Sequence, residues 1–314
     1  MPKIAVTRWI PEDAASILAD TGEVKLSVAD RALEPDELRE FVAGSCAIVS
    51  MLHDRIDGAV ADAAGPGLRI VANVAVGYDN IDVAALAERG IAVTNTPGVL
   101  TDATADLTLA LILALTRRVG EGERLIRARE PWSFHLGFLL GSSLQGKTLG
   151  IVGLGQIGQA VARRAGAFGL RVVHTGRSRA DSELEFLTLE ELLRTSDIVS
   201  LHCPLTPQTR HLIDAAALRT MKRTAYLVNT TRGPVVDETA LADALEAGAI
   251  AGAALDVFER EPEVEARLLG RENVVLTPHL GSATIETRTA MAVLAAMNVA
   301  AVLGGDPPLT EVRP

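Results

Sequence analysis

Residues 148–158 read Thr148-Leu149-Gly150-Ile151-Val152-Gly153-Leu154-Gly155-Gln156-Ile157-Gly158, an apolar strand pattern running directly into G-x-G-x-x-G. The apolar positions that follow, Ile157, Val161, Ala162, Ala165 and Phe168, recur at helical spacing. Strand, glycine turn and helix in this order make a dinucleotide cradle. Gly153 makes the tight turn, Gly155 lets the backbone approach a pyrophosphate, and Gly158 lets helix and strand pack closely, while the helix N-terminus offers N–H groups to the anion. A purely structural glycine turn is the competing reading, and the flanking strand and helix patterns weigh against it.

The next strand bears on which dinucleotide. It reads Leu170-Arg171-Val172-Val173-His174, and Thr175-Gly176-Arg177-Ser178-Arg179 follows. NAD sites place an acid about 20 residues past the fingerprint to hold the ribose 2′-OH, whereas a 2′-phosphate calls for arginine. The first acid here is Asp181. Gly176, Arg177, Ser178 and Arg179 therefore predict NADPH ahead of NADH, because the arginine fork suits a phosphate. A solvated basic turn is the bland alternative.

The 314 residues suffice for two domains, and the net charge of −10 argues against nucleic acid or an anionic membrane as partner. Cys46 and Cys203 form no CxxC pattern, so neither a metal site nor a disulfide framework is expected, in keeping with a reducing, cytoplasmic compartment. Met1-Pro2-Lys3-Ile4-Ala5-Val6 enters a strand pattern without an export signal. The uncharged run 289–305 falls short of a membrane span and reads as a packed helix.

Strand patterns at 4–7, 47–50, 69–72 and 92–94 alternate with helical stretches such as 36–43 and 83–89 before the fingerprint. A long helix is expected from near Thr101 to Arg129, with a broad apolar surface (Leu107, Leu109, Leu111, Ile112, Leu115) that suggests burial at an interface. After the fingerprint, strands at 198–201, 225–229, 251–255 and 274–276 continue the alternation, and 285–303 is again helical. The class is α/β, with doubly wound parallel sheets.

Three segments at strand ends carry residues fit for catalysis. Asn229-Thr230-Thr231-Arg232-Gly233 projects an arginine able to hold a carboxylate bidentately. Leu255-Asp256-Val257-Phe258-Glu259-Arg260-Glu261-Pro262 brings carboxylates, and Leu276-Thr277-Pro278-His279-Leu280-Gly281-Ser282 brings a histidine suited to acid and base work. Each alone has a bland reading as a surface charge or structural histidine. Their joint position beyond the strands of a dinucleotide-binding sheet is what points to a site.

In this order and spacing, these stretches resemble the D-isomer-specific 2-hydroxyacid dehydrogenases along nearly the whole chain. Ser50-Met51-Leu52, residues 71–82 and 94–106, and Thr175-Gly176-Arg177-Ser178 are most similar to the glyoxylate and hydroxypyruvate reductases of that family. The resemblance implies two Rossmann-like domains: a discontinuous substrate-binding domain at 1–98 plus 287–314, and an NAD(P)-binding domain at 99–286. It implies that Arg232 binds the substrate carboxylate and keto oxygen, that His279 is the acid and base, and that Glu261 holds the imidazole and favours its protonated form. Leu52 and the backbone N–H groups of Val76 and Gly77 would form the substrate pocket. Asp256 would bind the nicotinamide carboxamide, with the backbone around Gln156, Ile157, Cys203, Pro204, Thr230, Thr231 and Gly281 lining the cofactor. A small 2-keto acid is the implied substrate, NADPH the preferred cofactor with NADH as second choice, and a homodimer the implied assembly.

One stretch departs from the pattern. Residues 130–145 are shorter than the corresponding segment of typical glyoxylate reductases, in which tryptophans help shape the substrate site. Trp132 remains, and the second aromatic is either missing or replaced by Phe134 or Phe138. His53, beside Leu52, is placed to tune substrate preference, although it reads first as a solvated loop histidine. Competing readings are a D-3-phosphoglycerate or other 2-hydroxyacid dehydrogenase using NAD, and, from another class, a dinucleotide-sensing corepressor.

Overall fold

The computed structural model describes residues 1–29, 31–177 and 183–314. Two compact units emerge: Met1–Leu100 with Ala283–Pro314, and Thr101–Ser282.

The first unit opens with β1 (Lys3–Val6), α1 (Glu12–Thr21), β2 (Glu23–Leu26), α2 (Pro35–Val42), β3 (Ala47–Ser50), α3 (Gly58–Ala64), β4 (Ile70–Asn73), α4 (Val83–Ala87) and β5 (Ala92–Thr94). Its helices start where a side chain takes up first-turn N–H groups. Asp57 accepts from Ala59 and Val60, Asp82 accepts from Ala85, and Glu34 with Glu37 closes a capping box ahead of Pro35.

The second unit runs through α5 (Thr101–Thr116), α6 (Val119–Arg127), β6 (Thr148–Val152), α7 (Gln156–Ala167), β7 (Arg171–Thr175), β8 (Glu185–Phe186) and α8 (Leu189–Thr195). It continues with β9 (Ile198–Leu201), α9 (Ala215–Thr220), β10 (Tyr226–Asn229), a 3-10 turn at Gly233–Val235, α10 (Glu238–Glu246), β11 (Gly252–Leu255), α11 (Ala266–Leu269) and β12 (Val274–Leu276). The chain then returns to the first unit with α12 (Ile285–Gly304) and β13 (Glu311–Val312).

The second sheet has order β12-β11-β10-β9-β6-β7-β8, all parallel, and reverses direction of growth between β6 and β9. That reversal is the switch point at which such sheets take ligands. The first sheet has order β13-β5-β4-β3-β1-β2 and reverses between β1 and β3. Its other five strands run parallel, as expected, but β13 pairs antiparallel with β5 through Glu311 and Thr94. Each sheet is covered on both faces by apolar clusters, which explains why most strands read as unbroken apolar runs.

Two expectations need correction. The long helix at 101–129 is two helices, because Ser142 N–H takes the Thr116 carbonyl at 2.8 Å and Arg118 turns left-handed at φ 53°. The broad apolar surface of α5 is covered within its own unit: Ala105, Leu109, Leu111, Ile112 and Leu115 pack with Leu149, Ile151, Val161 and Ala165. It is α6 that buries no residue of its own and exposes Val119 and Ile126. By length and composition α12 could cross a membrane, yet its Met291, Ala292, Ala295, Ala296, Val299 and Val302 are buried, and most of these pack against Ile4, Val6, Ile70 and Ala72.

Candidate active site

At the end of β6 the three glycines meet three different demands. A Cβ on Gly153, whose φ is +97°, would lie 2.7 Å from the Cys203 nitrogen, so only glycine lets this turn touch the end of β9. A Cβ on Gly158 would lie 2.3 Å from the Gly153 carbonyl oxygen, which fixes helix against strand. Gly155 faces open space instead and N-caps α7 without a side chain, leaving the approach to the first-turn amides uncluttered. A turn that is tight, bare and tight again fits a pyrophosphate at a helix N-terminus.

Beyond β7, Gly176 and Arg177 are exposed, while Ser178 and Arg179 lie outside the described residues. On the other side of β6, Cys203 is buried, and burial pushes its thiol up to about 11, so it stays neutral. Its carbonyl accepts the Thr231 hydroxyl at 2.5 Å, and the Pro204 carbonyl accepts that of Thr209. Thr230 is buried with its hydroxyl 3.0 Å from that of Thr108 on α5. His202, which the sequence reading passed over, pairs Nε2 with the Ser200 hydroxyl at 2.8 Å, and burial pushes its pKa down to about 4. The period-two alternation of a strand, which puts residues 200 and 202 on one face, was the available signal.

Arg232 follows β10 in extended backbone, its segment folded by Asn229, whose side chain donates to the Arg232 carbonyl and accepts from Thr231 N–H. The guanidinium donates to the Thr231 carbonyl at 2.9 Å. Next in line, Gly233 abuts the turn after β11 so closely that a Cβ would sit 1.8 Å from the Phe258 carbonyl carbon. In that turn Glu261 accepts Phe258 N–H through Oε1 at 3.0 Å and holds His279 Nδ1 through Oε2 at 2.8 Å. Both side chains are largely shielded from solvent. His279 itself is left-handed at φ 55°, a conformation that costs a non-glycine residue about 1–3 kcal/mol. Asp256 supplies the compensation: its carbonyl accepts His279 N–H, and its buried carboxylate accepts the Thr277 hydroxyl and the N–H groups of Leu280 and Gly281. The side chain assigned by resemblance to the nicotinamide thus also clamps the histidine turn.

In the first unit, Leu52 lies in the loop after β3, and Val76 and Gly77 lie in the loop after β4. Three successive carbonyls of the second loop are taken by inward donors: Ala75 by Thr96 N–H, Val76 by the Asn95 amide and Gly77 by the Asn73 amide. A trans peptide points N–H opposite to its C=O, so the N–H groups of Val76, Gly77 and Tyr78 are turned away from those donors. Asn80 ties the two loops together, donating to the carbonyls of Met51 and Asp54. In the second unit, Trp132 stacks on Phe138 with ring centroids 6.0 Å apart, while Phe134 stands exposed.

Comparison with known proteins agrees with this chemistry. The family model for the D-isomer specific 2-hydroxyacid dehydrogenase NAD binding domain matches residues 109–281, all within the second unit. The chain is 50% identical to the glyoxylate reductase of Thermococcus kodakarensis over 99% of its own length and 96% of that protein. Among solved structures, a Thermus thermophilus protein superposes with a TM-score of 0.94 at 48% identity, covering 99% of both chains. The NADPH-dependent glyoxylate/hydroxypyruvate reductase of Sinorhizobium meliloti, solved with NADP and malonate, does so at 0.87 and 36% identity, over 99% of this chain and 96% of that one. A sequence and a fold shared to this extent make the chain a member of the D-isomer-specific 2-hydroxyacid dehydrogenases, enzymes that work with a nicotinamide dinucleotide.

Proposed function

We propose that this protein is an NADPH-preferring reductase of small 2-keto acids, glyoxylate and hydroxypyruvate foremost, yielding D-2-hydroxy acids where a stereocentre forms. The observation that carries the reading is the His279–Glu261 pair at 2.8 Å, held on a left-handed turn beyond the last strand of the dinucleotide sheet. The names of the relatives support the substrate class, and the Sinorhizobium enzyme supports the cofactor. The exposed Arg177 beyond β7 is in keeping with a 2′-phosphate.

When bound, the nicotinamide supplies the hydride. The protein's own residues handle charge and protons. Arg232 binds the substrate carboxylate and faces the keto oxygen as negative charge gathers there. His279 gives that oxygen a proton from Nε2, the nitrogen opposite the one tied to Glu261. Glu261 holds the ring and fixes its tautomer through Nδ1. Leu52 and the N–H groups of Val76 and Gly77 belong to the substrate pocket, which makes the first unit the substrate-binding domain and the second the NAD(P)-binding domain. A homodimer would cover the exposed apolar residues of α6, Trp132 and Phe134.

Initial rates of NADPH and of NADH oxidation with glyoxylate, hydroxypyruvate, pyruvate and 2-ketogluconate test the proposal. The expected result is the highest kcat/KM with NADPH and one of the first two acids. Preference for NADH would overturn the cofactor assignment, and no turnover of any of the four would overturn the substrate class.

A further inference from the structure

The turn that carries Glu261 carries a second glutamate, and it too is paired with a histidine. Glu259 Oε1 lies 2.6 Å from His211 Nε2, and His211, like His279, is left-handed, with φ 51°. We propose that His211 and Glu259 act as a positioning pair that sets the register between the Arg232 segment and the Glu261 turn; the proposal rests on the reading of Arg232, Glu261 and His279 given above.

Three segments are joined at this pair. His211 N–H donates to the Pro234 carbonyl at 2.8 Å, Ile213 N–H donates to that of Val235, and Asp237 N–H returns a bond to Ile213, so residues 211–213 are laced to the stretch just after Arg232. Glu259 and Glu238 exchange bonds: Glu259 N–H donates to Glu238 Oε1 at 2.5 Å, and Glu238 N–H donates to Glu259 Oε2 at 3.3 Å. Gly233 closes the third side by its contact with the Phe258–Glu259 peptide. Within the turn, Glu259 reaches out to His211 and Glu238, whereas Glu261 reaches back to Phe258 N–H and on to His279. The two glutamates therefore pin the same four-residue turn from opposite ends.

Both signs of charge surround Glu259. Arg210 Nη2 stands 3.9 Å from its Oε1, while Glu238 is buried, with burial pushing its carboxyl up and Glu259 and Glu265 adding like charge. His211 Nε2 faces Glu259 Oε1 across this cluster. Without it, the Glu259 side chain loses its shortest bond, and the turn is freed at the end that abuts Gly233. Proton transfer is sensitive to displacements of about 1 Å, so a turn held less firmly at that end reports in the chemical step.

The test compares His211→Ala, His211→Gln and wild type in kcat and KM for glyoxylate, in NADPH affinity, and in the downfield proton resonance of the His279–Glu261 hydrogen bond. His211→Ala is expected to lower kcat about tenfold or more with NADPH affinity unchanged, and to shift or broaden the downfield resonance. His211→Gln, whose amide can still donate to Glu259, is expected to recover kcat to within about threefold and to restore the resonance. A His211→Ala protein with wild-type kcat and an unchanged resonance would reduce the pair to a surface ion pair and overturn the proposal. Should His211→Ala fail to fold, Glu259→Gln reads the same two quantities while keeping side-chain shape. If the wild type turns over no keto acid, the resonance alone decides for or against the positioning role, and only the substrate reading falls.

Discussion

The loops beyond the strands of the second sheet are held by charge: Arg232 follows β10, Glu261 follows β11, His279 follows β12, and Asp256, Glu259 and His211 fasten the turns between them. In the first sheet the loop beyond β4 is held by neutral groups, Asn73, Asn95 and Thr96 bonding the backbone carbonyls of residues 75–77, and the loop beyond β3 is held by Asn80, which donates to the carbonyls of Met51 and Asp54, together with one buried carboxylate, Asp54, which accepts Met51 N–H and the Thr7 hydroxyl. The difference follows from what each set of loops would meet. Side chains that move protons or neutralise developing charge must themselves be ionisable, and they need firm anchorage to stay in register. Backbone N–H groups that receive an anion need only be aimed, and neutral amides aim them by occupying the carbonyls behind without adding a competing charge.

The sharpest way to break this comparison is to remove the ionisable donor. His279→Ala should lower kcat by about 10²- to 10⁴-fold, with NADPH affinity unchanged in a fluorescence titration. Near-normal turnover would show that the charged loops are structural after all. Removing a neutral anchor should act on binding instead. Asn80→Ala leaves the carbonyls of Met51 and Asp54 without their donor, and KM for glyoxylate should rise about tenfold while kcat changes less, the loss of one or two modest hydrogen bonds. A fall in kcat with KM unchanged would mean that the amide loops serve the chemical step rather than the grip on the anion.

How far the sequence could carry this depends on whether a feature is local. The second sheet was legible because its inner strands are buried on both faces and because the fingerprint states its own turn chemistry. Three of the four edge strands were not: β2 is mostly exposed, and β8 and β13 have two residues each, too short for any period to show. The break between α5 and α6 depends on Ser142 reaching Thr116 from 26 residues away, which no helix signal encodes. Arg232, Glu261 and His279 stood out because each lies just past a strand. His211 and Glu259 did not, since their pairing spans 48 positions and is aimed by a left-handed backbone that a histidine does not advertise.

The smallest effect expected from the contrast concerns acid. His202 sits at the end of β9 in the charged sheet, and burial takes its pKa from 6.5 to about 4, so the folded protein binds this proton less readily than the unfolded chain does. The stability it contributes is therefore complete above 6.5 and is lost as pH falls toward 4. At a half-buried ring, solvent screening leaves an effect of about 1 kcal/mol near pH 5. His202→Asn keeps a polar partner for the Ser200 hydroxyl but cannot take up the proton, so its denaturant midpoint should fall less than that of wild type between pH 7 and pH 5. Equal losses in both proteins would place the acid sensitivity elsewhere among the ionisable groups. A smaller loss in the variant would tie it to the strand end that backs the glycine turn, where the His202 carbonyl carbon would lie 2.8 Å from a Cβ on Gly153.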